Sequence, residues 1–202
     1  LRTFLVVASI TVGVFSLGMI ISSSVILRED INYSYALANP VNIEVWTNSF
    51  QEELPRIISR IPGVEQVEGR RMIAVRGSRD GVSWQNLSLI GISDFQNIQI
   101  NKLEAISGEL VPGRRQMDIS EDFMNSSGYK VGEIIEIEMP NGSTYDFPVV
   151  GLIGDQVTAA GDFTADPKIY VTLETLDAIN QGDHFNRLYV TIQGAGIYKP
   201  EI

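Results

Sequence analysis

The chain has 202 residues and no cysteine, and its 25 acidic residues outnumber its 15 basic residues to give a net charge of −10. The lack of cysteine excludes a disulfide framework and a thiolate metal site. No basic stripe is present, which excludes nucleic acid as an expected partner, because phosphate binding needs clustered cations.

Residues 3–27 form an uninterrupted run without a charged side chain, bounded by Arg2 and Arg28. A helix of this length rises about 37 Å, which exceeds the roughly 30 Å hydrocarbon core of a bilayer. Residues 1–27 are therefore predicted to form a transmembrane helix. A signal peptide, with residues 36–38 (Ala-Leu-Ala) as a cleavage site, is the alternative, but the run is longer than an ordinary signal core.

Small residues recur four positions apart within this run, at Ser9 and Gly13 and again at Gly18 and Ser22. Small side chains at this spacing let a second helix approach closely. They are our candidate residues for helix packing in the membrane, although glycine and serine are also common in membrane helices that pack against nothing.

Residues 28–38 contain neither glycine nor proline, and Asn39-Pro40 is the first helix-breaking pair. We therefore expect the helix to continue beyond the membrane as a stalk over residues 28–40. The alternative is a flexible juxtamembrane linker.

Residues 41–99 have a β-α-β-β order. Residues 42–47 alternate like a strand, and Ser49 and Glu52 have capping-box spacing. The predicted helix carries an apolar face for packing on a sheet, formed by Leu54, Ile57, Ile58 and Ile61. Residues 64–75 and 82–92 read as two strands of a hairpin around Asp80-Gly81.

Residues 167–202 repeat the β-α-β order, with Thr172 as the predicted N-cap of the helix. Residues 100–166 have a different pattern, rich in predicted strands, with a hairpin turn at Asn141-Gly142 and a loop over 154–166. The predicted fold is α+β: a transmembrane helix, then a split β-α-β sandwich with a small inserted β-rich subdomain at 100–166. The sandwich comprises residues 41–99 and 167–202.

His184 is the single histidine, and it stands beside Asp183 in a turn. A metal site or a catalytic triad would need further ligands or partners, and the chain has no Gly-x-Ser-x-Gly motif and no phosphate-binding loop. We interpret His184 as a solvated turn residue. No catalytic, cofactor-binding or metal-binding residue is predicted, and the chain is not expected to be an enzyme.

The order of these segments resembles FtsX-like and MacB-like ABC transporter permeases. The entry LRTFL at residues 1–5, continuing to Gly13-Val14, is similar to the start of their first span. MDISEDF at 117–123, GYKVGE at 128–133 and FPVVGLI at 147–153 are similar to the family's most recognisable segment. Glu133 and Leu152 stand where that family usually has Asp and Ile.

The resemblance implies a porter-like sandwich and an extracytoplasmic location for residues after about 28, in a protein of the bacterial cytoplasmic membrane. It implies contact with membrane lipid, a permease dimer partner of the same or another kind, and a periplasmic adaptor as a further candidate. ATP and Mg would bind to a separate or fused cytoplasmic ABC ATPase, and no cofactor to this chain.

Under this interpretation, the domain transmits ATP-driven motion of the membrane helices to domains outside the membrane, for export or extraction of a substrate. The alternative is a membrane-tethered binding or sensor domain without transport activity. An anchored enzyme is a third hypothesis, which the single histidine and the missing nucleophile motif disfavour.

Overall fold

The structure, a computed structural model, describes residues 2–155, 157 and 166–194, with the backbone alone at residues 2, 5, 8, 26–32 and 34. Two compact units are present, one containing the first helix and the other spanning Ala38–Gly196, which we call the core domain. Most of the predicted loop at 154–166 and the end of the chain after residue 194 lie outside the described residues.

The first unit is a single helix, α1, which runs over 36 residues from Arg2 to Leu37 without a break. Its length is about 54 Å at 1.5 Å per residue. The predicted continuation of the helix past residue 27 is confirmed. Within the described parts of the chain no helix is long and apolar enough to cross a membrane, so the predicted span is not confirmed.

The core domain mixes short helices with one extended sheet, which confirms the α+β class. Its helices are α2 (Glu53–Ile58), α3 (Glu121–Ser127) and α4 (Leu173–Ala178). Its described strands are β1 (Ile43–Phe50), β2 (Val64–Ser78), β3 (Gln85–Ile92), β4 (Glu104–Gly108), β5 (Met117–Ser120), β6 (Ile134–Glu138), β7 (Thr144–Gly154), β8 (Lys168–Thr172) and β9 (Phe185–Ile192).

The described strands follow the order β1-β9-β2-β3-β8-β5-β7-β4. Strand β6 pairs with both β2 and β7, and so closes β2, β3, β8, β5, β7 and β6 into a ring. Pairing is parallel between β3 and β8 and between β5 and β7, and antiparallel elsewhere. Strand β2 belongs to both parts: its first half pairs with β9, and its second half pairs with β3 and β6.

The ring encloses the larger apolar core, because alternate residues of its strands point inward. Fully buried side chains fill it, among them Leu87, Leu89, Ile119, Ile135 and Phe147. A second, smaller cluster lies on the outer face, where the connection between β3 and β5 covers Ile90, Ile92 and Tyr170 with Phe95 and Leu110.

The N-cap predicted at Thr172 is present. The Thr172 hydroxyl oxygen accepts a hydrogen bond from the Thr175 N–H at 3.2 Å, and Leu173 and Leu176 of the helix that it caps are buried. Helix α3 likewise has a side-chain cap, because the Ser120 hydroxyl oxygen accepts from the Phe123 N–H.

The capping box predicted at Ser49 and Glu52 is wrong. Strand β1 continues to Phe50, which pairs with Phe185, so Ser49 belongs to the strand. Helix α2 starts at Glu53 and has no side-chain cap. Its predicted apolar face is also only partly covered, with Ile57 60% and Ile61 49% exposed.

Strands of the predicted insertion at 100–166 join the same sheet as the predicted sandwich halves. Strand β5 pairs with β8, and β6 pairs with β2. The predicted boundaries at residues 100 and 166 therefore do not coincide with a break in hydrogen bonding. The division into porter-like and inserted subdomains stays a prediction.

Candidate functional site

The segment that begins the core domain, residues 38–42, is our candidate functional site, and we call it the junction. It follows directly on α1 in the chain and precedes β1. Asn39 has a positive φ of 49°, which asparagine adopts more readily than most residues, and Pro40 disfavours helix at the residue before it. These two residues explain why the helix ends here.

Backbone hydrogen bonds hold the junction against the loop at residues 99–102. The Asn101 N–H donates to the Asn39 carbonyl oxygen at 3.0 Å, and the Lys102 N–H donates to the Ala38 carbonyl oxygen at 2.8 Å. In return the Val41 N–H donates to Oδ1 of Asn101 at 2.8 Å. Ala38 is only 4% exposed, so the bond that its carbonyl oxygen accepts lies at the buried end of this set.

Amide side chains extend this set of bonds to two strands. Nδ2 of Asn39 donates to Oε1 of Gln66 on β2 at 2.6 Å and to the Gln99 carbonyl oxygen at 2.7 Å. The Asn42 N–H donates to the Val190 carbonyl oxygen of β9, and Oδ1 of Asn42 accepts from the Ile192 N–H at 2.8 Å. The junction is therefore hydrogen-bonded to both β2 and β9.

The loop that receives the junction is itself held by a buried ion pair. Glu68 Oε1 accepts from the N–H groups of Gln99 and Ile100, and Arg70 donates to the Ile100 carbonyl oxygen at 2.8 Å. Arg70 and Glu68 lie 3.1 Å apart, and Arg70 is only 3% exposed. Because charge and hydrogen bonds are both satisfied, this arrangement is rigid once formed.

Tyr189 of β9 completes the packing around Arg70, whose guanidinium carbon lies 5.4 Å from the centre of the ring. Burial, and then the negative charge of Glu44, raises the pKa of Tyr189 to about 12. The phenol therefore stays neutral at physiological pH and presents its ring to the cation.

An open cavity of about 340 Å³ lies elsewhere, where β2, β3 and β6 meet. Arg76, Asn86 and Glu138 line it, with Met139 and Pro140 at its apolar end. Arg76 pairs with Glu138 and lies 5.6 Å from the centre of the Trp84 ring. The cavity volume falls in the range of small-ligand sites, but Arg76 and Glu138 already pair with each other across its wall.

The candidate packing residues Ser9, Gly13, Gly18 and Ser22 all lie exposed on α1. A Cβ added at Gly13 or Gly18 would meet nothing within 4 Å. At about 100° per residue, the pair Ser9 and Gly13 faces away from the pair Gly18 and Ser22. Their role in helix packing stays a prediction.

The interpretation of His184 rests on its surroundings. Asp183 accepts a hydrogen bond from Gln51 at 3.3 Å, and burial together with the charge of Arg71 lowers the pKa of His184. His184 is half-buried in its turn rather than fully solvated. Among the described residues, no group of three His, Cys, Asp or Glu side chains is placed to hold a metal ion.

Sequence reasoning missed the residues of the junction apart from its break at Asn39-Pro40. Asn101, Gln66, Glu68 and Arg70 lie far from it in the chain and belong to no motif. The available signal was the pair Asn39 and Asn42 beside the helix break, since asparagine tolerates a positive φ and bonds backbone groups through its side chain.

Comparison with known proteins identifies the family. Residues 3–196 match the family described as MacB-like periplasmic core domain, so the chain belongs to that family. The predicted resemblance to MacB-like ABC transporter permeases is thereby confirmed. Membership implies association with a membrane and an extracytoplasmic position for the core domain. No curated protein matches the sequence.

Two solved structures are similar to this chain, and the first of them shares its fold. The extracellular domain of the ABC-type transporter YknZ from Gram-positive bacteria superposes with a TM-score of 0.51 at 16% identity, covering 75% of this chain and 83% of that one. The periplasmic region of MacB from Actinobacillus actinomycetemcomitans gives 0.47 at 14% identity, covering 75% and 74%.

Proposed function

We propose that this chain is the extracytoplasmic core domain of an ABC transporter permease that transmits ATP-driven motion of the membrane helices to domains outside the membrane. The motion would serve export or extraction of a substrate. Family membership supports the permease class. The uncharged run at residues 3–27 supports a membrane anchor for the domain.

One observation carries the transmission mechanism: α1 continues without interruption to Leu37, and the next residue begins the bonded junction. A helix resists bending because its backbone hydrogen bonds are internally satisfied, and sharp kinks need proline, glycine or a bulge. A tilt of α1 would therefore reach Ala38 and be passed through Asn39 and Asn42 to β2 and β9.

The proposed partners follow from the class. A cytoplasmic ABC ATPase would bind ATP and Mg, and a second permease subunit would complete the membrane unit in the bacterial cytoplasmic membrane. The small residues on two opposite faces of α1 would let helices of that unit approach it on both sides. A periplasmic adaptor is the further candidate partner.

The test is an insertion of Gly-Gly after Tyr33, with an insertion of Ala-Ala at the same place as the matched control. Both insertions lengthen α1 by about 3 Å and rotate the residues after the insertion by about 200°, so they differ chiefly in helix stiffness. We expect the Gly-Gly variant to assemble and hydrolyse ATP in proteoliposomes but to transport far less than the Ala-Ala variant.

Equal transport by the two variants would argue against a rigid connection. ATP-independent binding of a ligand, with no transport even by the wild-type complex, would instead favour the tethered sensor domain.

A further inference from the structure

A second buried charge lies on the outer face of the ring, at Asp118 in β5. This carboxylate is 0% exposed and stands opposite Tyr170 of β8 in the pairing of the two strands. Its neighbours Met117 and Ile119 point into the apolar core, so the alternation of the strand turns Asp118 outward, beneath the connection from β4 to β5.

Neither carboxylate oxygen of Asp118 has a hydrogen-bond partner among the described residues. The nearby Asp155 provides the contrast, since it accepts from the Tyr170 hydroxyl at 2.8 Å and from Lys168 at 2.9 Å. An ionised carboxylate buried without a partner is strongly unfavourable, and a protonated one is far less so.

The cover over Asp118 is a single layer of chain at the edge of the sheet. A Cβ added at Gly151 of β7 would overlap the Glu109 carbonyl oxygen and lie 2.5 Å from Oδ1 of Asp118. The Glu109 N–H donates to the Val150 carbonyl oxygen at 3.1 Å. Strand β4, which leads into this cover, is exposed at all five residues and has an irregular register against β7.

The titratable and charged groups around Asp118 come from the cover, from β8 and from the end of β7. Glu109 approaches from the cover, β8 contributes Tyr170 and Lys168, and Asp155 follows the end of β7 with its own partners. Burial, and then the negative charge of Glu109, raises the pKa of Asp118 to about 7. Once the cover opens, water reaches the carboxylate, and its pKa returns towards the ordinary value near 4.

The direction of the pH effect follows from these two states. Below about pH 4 the carboxylate is protonated in both the closed and the opened state, so the equilibrium between the two states does not change with pH. Between about pH 4 and pH 7 only the opened state loses its proton, so opening becomes easier as the pH rises. Above about pH 7 the carboxylate is ionised in both states, so a further rise in pH no longer favours opening.

We propose that protonation of Asp118 holds the Glu109 cover closed over β5 and β7, and that a rise in pH releases it. The edge of the sheet formed by β4 and residue 109 then exists in two arrangements, and the ambient pH selects between them.

Hydrogen exchange of the Glu109 amide tests this in the full chain, purified in detergent. After correction for intrinsic rates, its protection falls by about tenfold or more between pH 5 and pH 7. Asp118→Asn removes this fall. Asp146→Asn, which removes an exposed carboxylate on the neighbouring strand β7, retains the fall.

Glu109→Gln provides a second variant that keeps the buried carboxylate. Removing the neighbouring negative charge lowers the closed-state pKa of Asp118, so the fall in protection becomes smaller. Equal protection of the wild-type amide at pH 5 and pH 7 would overturn the proposal. A full fall in the Asp118→Asn protein, or an unaltered fall in the Glu109→Gln protein, would overturn it as well.

Discussion

Arg70 and Asp118 are both buried charged residues on strands of one domain, yet their surroundings are opposite. Arg70 has a carboxylate, a carbonyl oxygen and an aromatic ring as partners. Asp118 has no hydrogen-bond partner in the described part of the chain. The comparison teaches that the role of a buried ionisable residue depends on its partners. Arg70, whose hydrogen bonds are satisfied, holds a loop in place, whereas Asp118, which lacks hydrogen bonds, makes the position of its cover depend on pH.

Arg70→Met gives the largest expected effect. The substitution leaves Glu68 without its cation in a largely buried position, which costs about 3–5 kcal/mol of unfolding free energy. Urea unfolding followed by circular dichroism measures it. Arg79→Met is the control, since Arg79 and its partner Glu133 are 52% and 41% exposed and their pair contributes less than about 1 kcal/mol. Equal losses of unfolding free energy in the two variants would contradict the distinction between a buried and an exposed ion pair.

Gly151→Ala tests how closely the cover lies on β7. The added methyl group would overlap the Glu109 carbonyl oxygen, so we expect a loss of about 1–3 kcal/mol. Gly154→Ala on the same strand meets its nearest atom at 3.5 Å and should be nearly neutral. The measurement is again the free energy of unfolding. A neutral Gly151→Ala would show that the cover has room to move away without cost.

Asn101→Ala at the junction should have a smaller effect, of about 1–2 kcal/mol. It removes the acceptor for the Val41 N–H and places alanine at a φ of 49°. Asn101→Asp keeps an acceptor oxygen and should restore most of the loss. Thermal unfolding of the three proteins checks this, and an aspartate variant no more stable than the alanine variant would contradict the role given to the side-chain acceptor.

Caps and turns of the fold could be predicted from the sequence because they depend on residues close together in the chain. Thr172 caps its helix and the Asn141-Gly142 turn joins β6 to β7, and both follow from side chains within a few residues. The cap at Ser49 failed because pairing of Phe50 with the distant Phe185 extended the strand. Tertiary pairing overrode a local preference there.

The closure of the ring and the contacts of the junction could not be predicted from the sequence. The pairing of Arg76 with Glu138 joins residues that no periodicity relates. Arg70 and Asp118 both occupy alternating positions that ordinarily face solvent, and each is buried by a connection elsewhere in the chain. The alternation of residues along a strand predicts which side of the sheet each residue faces. What covers that side depends on the tertiary fold.

Strand β2 has a mechanical consequence because it is one unbroken 15-residue strand. Its ladder bonds lie nearly perpendicular to the chain direction. A pull along β2 therefore strains many bonds simultaneously in shear, whereas a pull across it would peel them apart one after another. Load entering beside Gln66 would thus travel lengthwise to Arg76 and Gly77 before the sheet begins to separate.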